Sequence, residues 1–334
     1  MINYEVDIPV RITIWIREEF QKKQFEVIKK AKPSIIFLQS DGGRNELEDI
    51  IIRKNRIYIE NNINWNCKVY KLYENNNLGL YDMSKKTNDF IWKRVDRCVF
   101  LEDDIVPSVS FFTFCKELLD IYENDLRIEC ICGFNHLEIH EEVSSDYFFC
   151  RQGSVWGYAT WRRAWEGRYD FSYFNDRYVL KLLKNNTKRN KSIYKKLSNY
   201  PINDNYEGHA PAFEFFTELA MYTQNRLQIV PKKNMICNLG CDEHATNSPN
   251  YSKIPYPLRT LFNMKTYELE SSLNHPKYVI NDEYYEIKRN KILAYNNKLM
   301  EIYYFLYYFF HLTFKNKIKF FNERFSGLIR KVKQ

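Results

Sequence analysis

Residues 99–135 read VFLEDDIVPSVSFFTFCKELLDIYENDLRIECICGFN, and this stretch decides the fold. It opens inside an apolar strand, 97–101 (RCVFL), which stops directly in Glu102-Asp103-Asp104. The apolar spacing then predicts a helix over 108–123 and a second short strand at Ile128–Gly133. Strand, helix and strand at this spacing predict a parallel, right-handed βαβ unit. Open α/β sheets bind ligands outside the carboxyl ends of their strands. Three consecutive carboxylates there repel one another unless a cation or a donor-rich ligand compensates. Carboxylate oxygens suit a hard divalent ion, Mg²⁺ or Mn²⁺, which then bridges phosphates. The plainer alternative is an acidic helix start, because Ile105-Val106-Pro107-Ser108 leads into a helix and Asp there favours its dipole.

Upstream, the same alternation repeats. Ile8–Ile16 reads as a buried strand rich in Val, Ile and Thr. Residues 18–31 read as an amphipathic helix with Phe20, Phe25, Val27 and Ile28 on one face, stopped by Pro33. Ser34–Leu38 is a second strand, closed by the turn Ser40-Asp41-Gly42-Gly43. A helix over 46–60, a strand at 67–73, the turn ENNNLG and a helix around 81–94 complete this half. Downstream, 146–170 reads as aromatic and irregular. Phe213–Gln224 reads as helix and Leu227–Val230 as strand; 240–285 lacks clear periodicity, and the chain from about 286 is helical, aromatic, then basic.

The chain has 334 residues and a formal net charge of +8, with 45% hydrophobic and 17% aromatic residues, which excludes a disordered or fibrous class. The charge is uneven. Residues 181–196 hold seven Lys/Arg and no acid, and 315–334 hold seven Lys/Arg and Glu323, so the rest of the chain is net −5. A slightly acidic body with two basic segments does not read as a nucleic-acid binder. Eight cysteines without a CxxC pair and no basic-then-apolar start predict a reduced, cytoplasmic protein. Cys237, Cys241 and His244, with Cys130 and Cys132, fit no standard zinc spacing.

The 99–135 stretch resembles the GT-A glycosyltransferases, closest to bacterial enzymes with an N-acetylglucosaminyltransferase-I-like or family-2-like core. Those enzymes carry a strand, EDD, a Pro, an aromatic-rich helix and a D-x-R-I-x-x-I-x-G-x-N stretch, here Asp125 to Asn135. Further blocks match in order: PVRITIWIRE (9–18), FLQSDGGR (37–44) and SVWGYATWRRAW (154–165). The implied fold is α/β of GT-A type: a Rossmann-like, mostly parallel sheet flanked by helices, with a C-terminal helical extension. The implied domains are 1–285, divided into a nucleotide-sugar-binding half (1–135) and an acceptor-side half (136–285), followed by an extension over 286–334.

By the same resemblance the function is metal-assisted transfer of a sugar, by inversion, from a nucleotide-diphosphate sugar to a glycan or lipid-linked glycan in surface polysaccharide or glycoconjugate synthesis. Asp104 would hold Mn²⁺ or Mg²⁺, while Glu102 and Asp103 would hold ribose or ordered water. Asp41 looks like the family's base-contacting Asp, against the plain reading of an Asp-Gly turn. Arg17 would lie beside the nucleotide, and Asn77 and Gly79 resemble a donor-side turn. Trp156, with Trp161 and Trp165, would form a stacking wall or simply core. Glu214 is the expected general base, with Glu218 one turn later in reserve. Asn234–Asn247 resembles a family block that closes in His; Asn247 stands there, and His244 is the substitute metal or phosphate contact. The basic, aromatic tail predicts contact with the inner membrane surface. Two rivals stay open: a sugar-1-phosphate nucleotidyltransferase, and a non-catalytic membrane-associated binding protein on a degenerate transferase fold.

Overall fold

Period-two alternation of side chains along the strands sorts the core onto two faces of one sheet. In the computed structural model Val99 and Leu101 join one cluster with Phe25, Ile28, Phe112 and Leu118, while Cys98 and Phe100 join the other with Ile91, Trp92 and Tyr285. The structure describes residues 3–166, 175–188, 193, 213–241, 254–270, 272–295 and 297–311, with the backbone alone at 213–216 and 311.

The elements are β1 (Val6–Thr13), α1 (Glu18–Ala31), β2 (Pro33–Ser40), α2 (Glu46–Asn62), β3 (Lys68–Tyr73), α3 (Leu80–Trp92), β4 (Arg97–Leu101), β5 (Ile105–Pro107), α4 (Phe111–Ile121), β6 (Ile128–Cys132), β7 (Tyr147–Cys150), β8 (Tyr158–Trp161) and α5 (Arg162–Trp165). They continue as α6 (Arg177–Asn186), α7 (Phe213–Thr223), β9 (Leu227–Pro231), β10 (Ile236–Asn238), α8 (Tyr256–Arg259), α9 (Glu283–Ile292) and α10 (Lys298–His311). The main sheet runs β3-β2-β1-β4-β8-β6-β9-β7, and β5 pairs with β10 in a small sheet. The expected mixed α/β class, with a mostly parallel sheet flanked by helices and helices at the C-terminal end, is what is found. Four of the seven pairings are parallel, and β8 enters antiparallel between β4 and β6.

Three local readings need correction. The stretch expected to be irregular, 146–170, contains β7 and β8. Each is only four residues long and buried on both faces, so there is no polar alternation to read. The helix expected over 108–123 starts at Phe111, because Ile105–Pro107 pairs antiparallel with Ile236–Asn238. Its start is fixed from afar: the Val109 and Ser110 N–H groups donate to the Glu268 carboxylate at 2.8 and 2.7 Å. Burial pushes that carboxyl up, but hydrogen bonds from Ser110 and Val109 outweigh it and hold the pKa below its ordinary value. The first strand ends at Thr13, which leaves 14–16 as the connection that carries Arg17.

Candidate functional site

The carboxyl ends of β1 and β4 are neighbours in the sheet, which brings Arg17 and the acidic triplet together. The Arg17 guanidinium donates to Asp104 Oδ2 at 2.8 Å and lies 3.3 Å from Asp103 Oδ1. All three side chains are largely buried, at 9% exposed for Arg17, 11% for Asp103 and 14% for Asp104. Water screens such a pair far less than a surface pair. Glu102, by contrast, is exposed. The triplet is therefore not equivalent: among the described residues Asp103 and Asp104 face the Arg17 guanidinium, while Glu102 is solvent-exposed.

Two glutamines on the inner face of α1 fix this turn. Gln24, fully buried, donates from Nε2 to the carbonyls of Glu102 and, at 2.6 Å, Ile105. Gln21 donates to the Thr13 carbonyl at 3.0 Å and accepts the Trp15 N–H at 3.2 Å. The helix thus ties the end of β1 to the end of β4. In the sequence these residues are visible only as polar interruptions of an apolar helix face.

The second wall comes from 236–240. The β5–β10 pairing sets Asn238 opposite Ile105, and the Leu239 N–H donates to the Asp104 carbonyl at 2.9 Å. The Asn238 side chain accepts the Gly240 N–H at 2.7 Å. A Cβ on Gly240 would stand 2.0 Å from Asp104 Oδ2, so only glycine leaves that carboxylate its place. Trp156 packs its half-buried ring on Phe134 at 5.0 Å and Phe262 at 5.6 Å, against the core that holds Ile105 and Ile236. Trp161 is core, with its indole N–H donating to the Leu119 carbonyl at 3.2 Å.

The third wall is the turn after β2. Asp41, 9% exposed, accepts the N–H groups of Gly42 (2.9 Å), Leu78 (2.9 Å) and Gly79 (3.0 Å). Asn77 donates to the Gly42 carbonyl at 2.8 Å. Gly79 has φ +81°, a conformation that L side chains resist, and it opens α3. Arg56, which sequence reading missed, donates to the Ser40 hydroxyl and to the Asp41 and Glu74 carbonyls at 2.9–3.0 Å while stacking on Tyr73. Asp41, Asn77 and Gly79 are therefore brought together as one tied platform. The half-buried Trp15, two residues before Arg17, faces the Arg44 guanidinium at 5.9 Å.

Several motif residues prove to be braces. Arg163 donates to the carbonyls of Tyr122, Glu123, Asp125 and Ile128, pinning the end of α4 to the start of β6. Asn135 and Asn234 bridge the loops after β6 and β9. Glu218 lies half-buried on α7. Glu214 is on the same helix, but its side chain lies outside the described residues, as do His244 and Asn247. No group of three or more His, Cys, Asp or Glu among the described residues is placed to hold a metal ion.

No protein-family model matches the chain. No curated protein matches it either. Solved structures similar to it include a UDP-glucose pyrophosphorylase complexed with UDP-glucose, at 12% identity and TM-score 0.33, over 69% of this chain and 91% of that one. Another is the apo-form glycosyltransferase GlyE of Streptococcus pneumoniae TIGR4, at 11% identity and TM-score 0.29, over 86% of this chain and 63% of that one. Likeness this low bears on neither substrate nor mechanism.

Proposed function

We propose that the carboxyl edge of β1, β2 and β4 binds a nucleotide-diphosphate sugar and that the protein transfers its sugar, by inversion, to a glycan or lipid-linked glycan acceptor. One observation carries the reading: a largely buried guanidinium and two carboxylates meet at adjacent strand ends, against a backbone that only Gly240 permits. Such an arrangement offers a cation for phosphate oxygens and hard oxygen ligands for a divalent ion. The donor set suits Mg²⁺ or Mn²⁺, because Mg²⁺ is usually held by one or two carboxylates plus substrate phosphates rather than by a protein cage. When bound, that ion would neutralise charge on the departing diphosphate.

In this reading Asp103 and Asp104 hold the metal side and Arg17 steers the diphosphate. Asp41 fixes the platform 41–43 and 77–79, so that its backbone presents a rigid edge to ribose and base. Glu214, or Glu218 on the same helix face, takes the acceptor proton. A thermal-stability screen of nucleotide-diphosphate sugars, with and without Mn²⁺, tests it. A donor that raises the midpoint, raises it further with Mn²⁺, and is slowly hydrolysed supports the reading. Release of pyrophosphate from a nucleoside triphosphate and a sugar-1-phosphate would replace it with nucleotidyl transfer. Binding without any hydrolysis or transfer would leave a binding protein.

A further inference from the structure

Helix α10 turns a line of apolar side chains to solvent. Leu299 is 79% exposed, Ile302 55%, Tyr303 40%, Leu306 44% and Phe310 71%. At 3.6 residues per turn, positions i, i+3, i+4, i+7 and i+11 fall within roughly 100° of arc. The helix is anchored on another side. Tyr304 is buried and donates its hydroxyl to the Ile292 carbonyl, and Arg259 donates to the Tyr307 hydroxyl. These contacts set the rotation of the helix, so the stripe faces outward by construction.

A helix of a globular body normally buries such a stripe, and a contiguous exposed one marks a contact surface. The charge of the C-terminal segment identifies the contact. Residues 315–334, themselves outside the described residues, carry seven Lys/Arg against Glu323 alone. An apolar helix face followed by a cationic, aromatic segment complements an anionic lipid surface. Tyr303, with an apolar ring and a polar hydroxyl, also suits the depth of the headgroup boundary. The 14 described residues of this helix reach about 21 Å, against a hydrocarbon core of about 30 Å, and no helix among the described residues is long and apolar enough to cross a membrane.

We propose that α10 lies in the plane of an anionic bilayer surface with Leu299, Ile302, Tyr303, Leu306 and Phe310 in the acyl boundary, and that the 315–334 segment adds electrostatic attraction. This inference is independent of the donor reading. The test is flotation of the full chain with vesicles of phosphatidylcholine alone and of phosphatidylcholine mixed with phosphatidylglycerol. The protein should float with the mixed vesicles. The double variant Ile302→Asp, Leu306→Asp should bind about tenfold less, with an unchanged circular dichroism spectrum, because both side chains are already exposed. Ile302→Ser with Leu306→Ser provides the milder pair. Deleting 315–334 should remove the salt-sensitive part of binding and leave a remainder that the Asp variant abolishes. Failure of the wild type to float, or equal flotation by the stripe variants, overturns the proposal. So does light scattering that shows a lipid-free dimer dissociated by those variants, because the stripe would then be covered by a second copy.

Discussion

The turn after β2 and the turn after β4 flank β1 at the same edge of the sheet, and both are built on aspartate. After β2, the Asp41 carboxylate receives three backbone N–H groups from two loops. After β4, Asp103 and Asp104 face the guanidinium of Arg17. Backbone donors cannot leave without unravelling the loops that carry them. A guanidinium on a flexible stem can turn from carboxylate to phosphate at the cost of a rotamer change. Aspartate thus ties two loops together on one side of β1 and meets a side-chain cation on the other; under the proposed function only the second would exchange its partner.

Substitution should separate the two sides. Asp104→Asn, which keeps an oxygen for Arg17 but loses the anion, should lower transfer or donor hydrolysis by about 100-fold or more while the fold survives; steady-state rates beside a melting curve decide it. Asp41→Ala removes the acceptor of three N–H groups and should cost about 3 kcal/mol in urea denaturation, with Asp41→Asn near half of that. Were Asp104→Asn to lose comparable stability, the two turns would not differ in kind. Gly240→Ala should fall between them. Its Cβ displaces the end of Asp104 rather than the backbone, so activity should drop about tenfold with little change in the melting midpoint.

The smallest effect lies on the pH axis and serves as a control. Burial, with Arg289 nearby, holds His136 well below its ordinary value of 6.5. The unfolded chain therefore takes up this proton first as pH falls. Stability should be full above about pH 6.5 and decline below it by at most about 1.4 kcal/mol per pH unit. The acid limb should flatten in His136→Gln and persist in the Asp41 and Asp104 variants, as read by denaturation at several pH values.

The sequence made legible what local pattern encodes. Ile8–Ile16 and Ser34–Leu38 announce strands, the first running past its observed end at Thr13, and Glu102-Asp103-Asp104 announces itself at a strand end. Hidden are the contacts between residues far apart in the chain. Gln24 reaches a carbonyl 78 positions away, Arg163 reaches one 40 away, and Glu268 caps a helix 159 positions upstream. Nothing in a window of a dozen residues reports such partners. Arg163 in particular looked like part of a signature block and is a brace. Asp41 reads either as a base contact or as an Asp-Gly turn, and the amides that its carboxylate receives from the second loop are not visible in either reading. The triplet was legible as a cluster but not as two facing carboxylates and an exposed third, because that division comes from Arg17 and Gln24.

The antiparallel seat of β8 between β4 and β6 has a consequence for synthesis on the ribosome. The outer edge of β4 is complete at Leu101, but the strand that covers it ends at Trp161, 60 residues later. At ~5–20 residues per second the nascent chain carries that open edge for roughly three to twelve seconds. During that interval its unpaired amides and carbonyls are a template for any passing strand. A chain that stalls or is cut between α4 and β8 would emerge with that edge bare, and the cell's holding chaperones would meet it there.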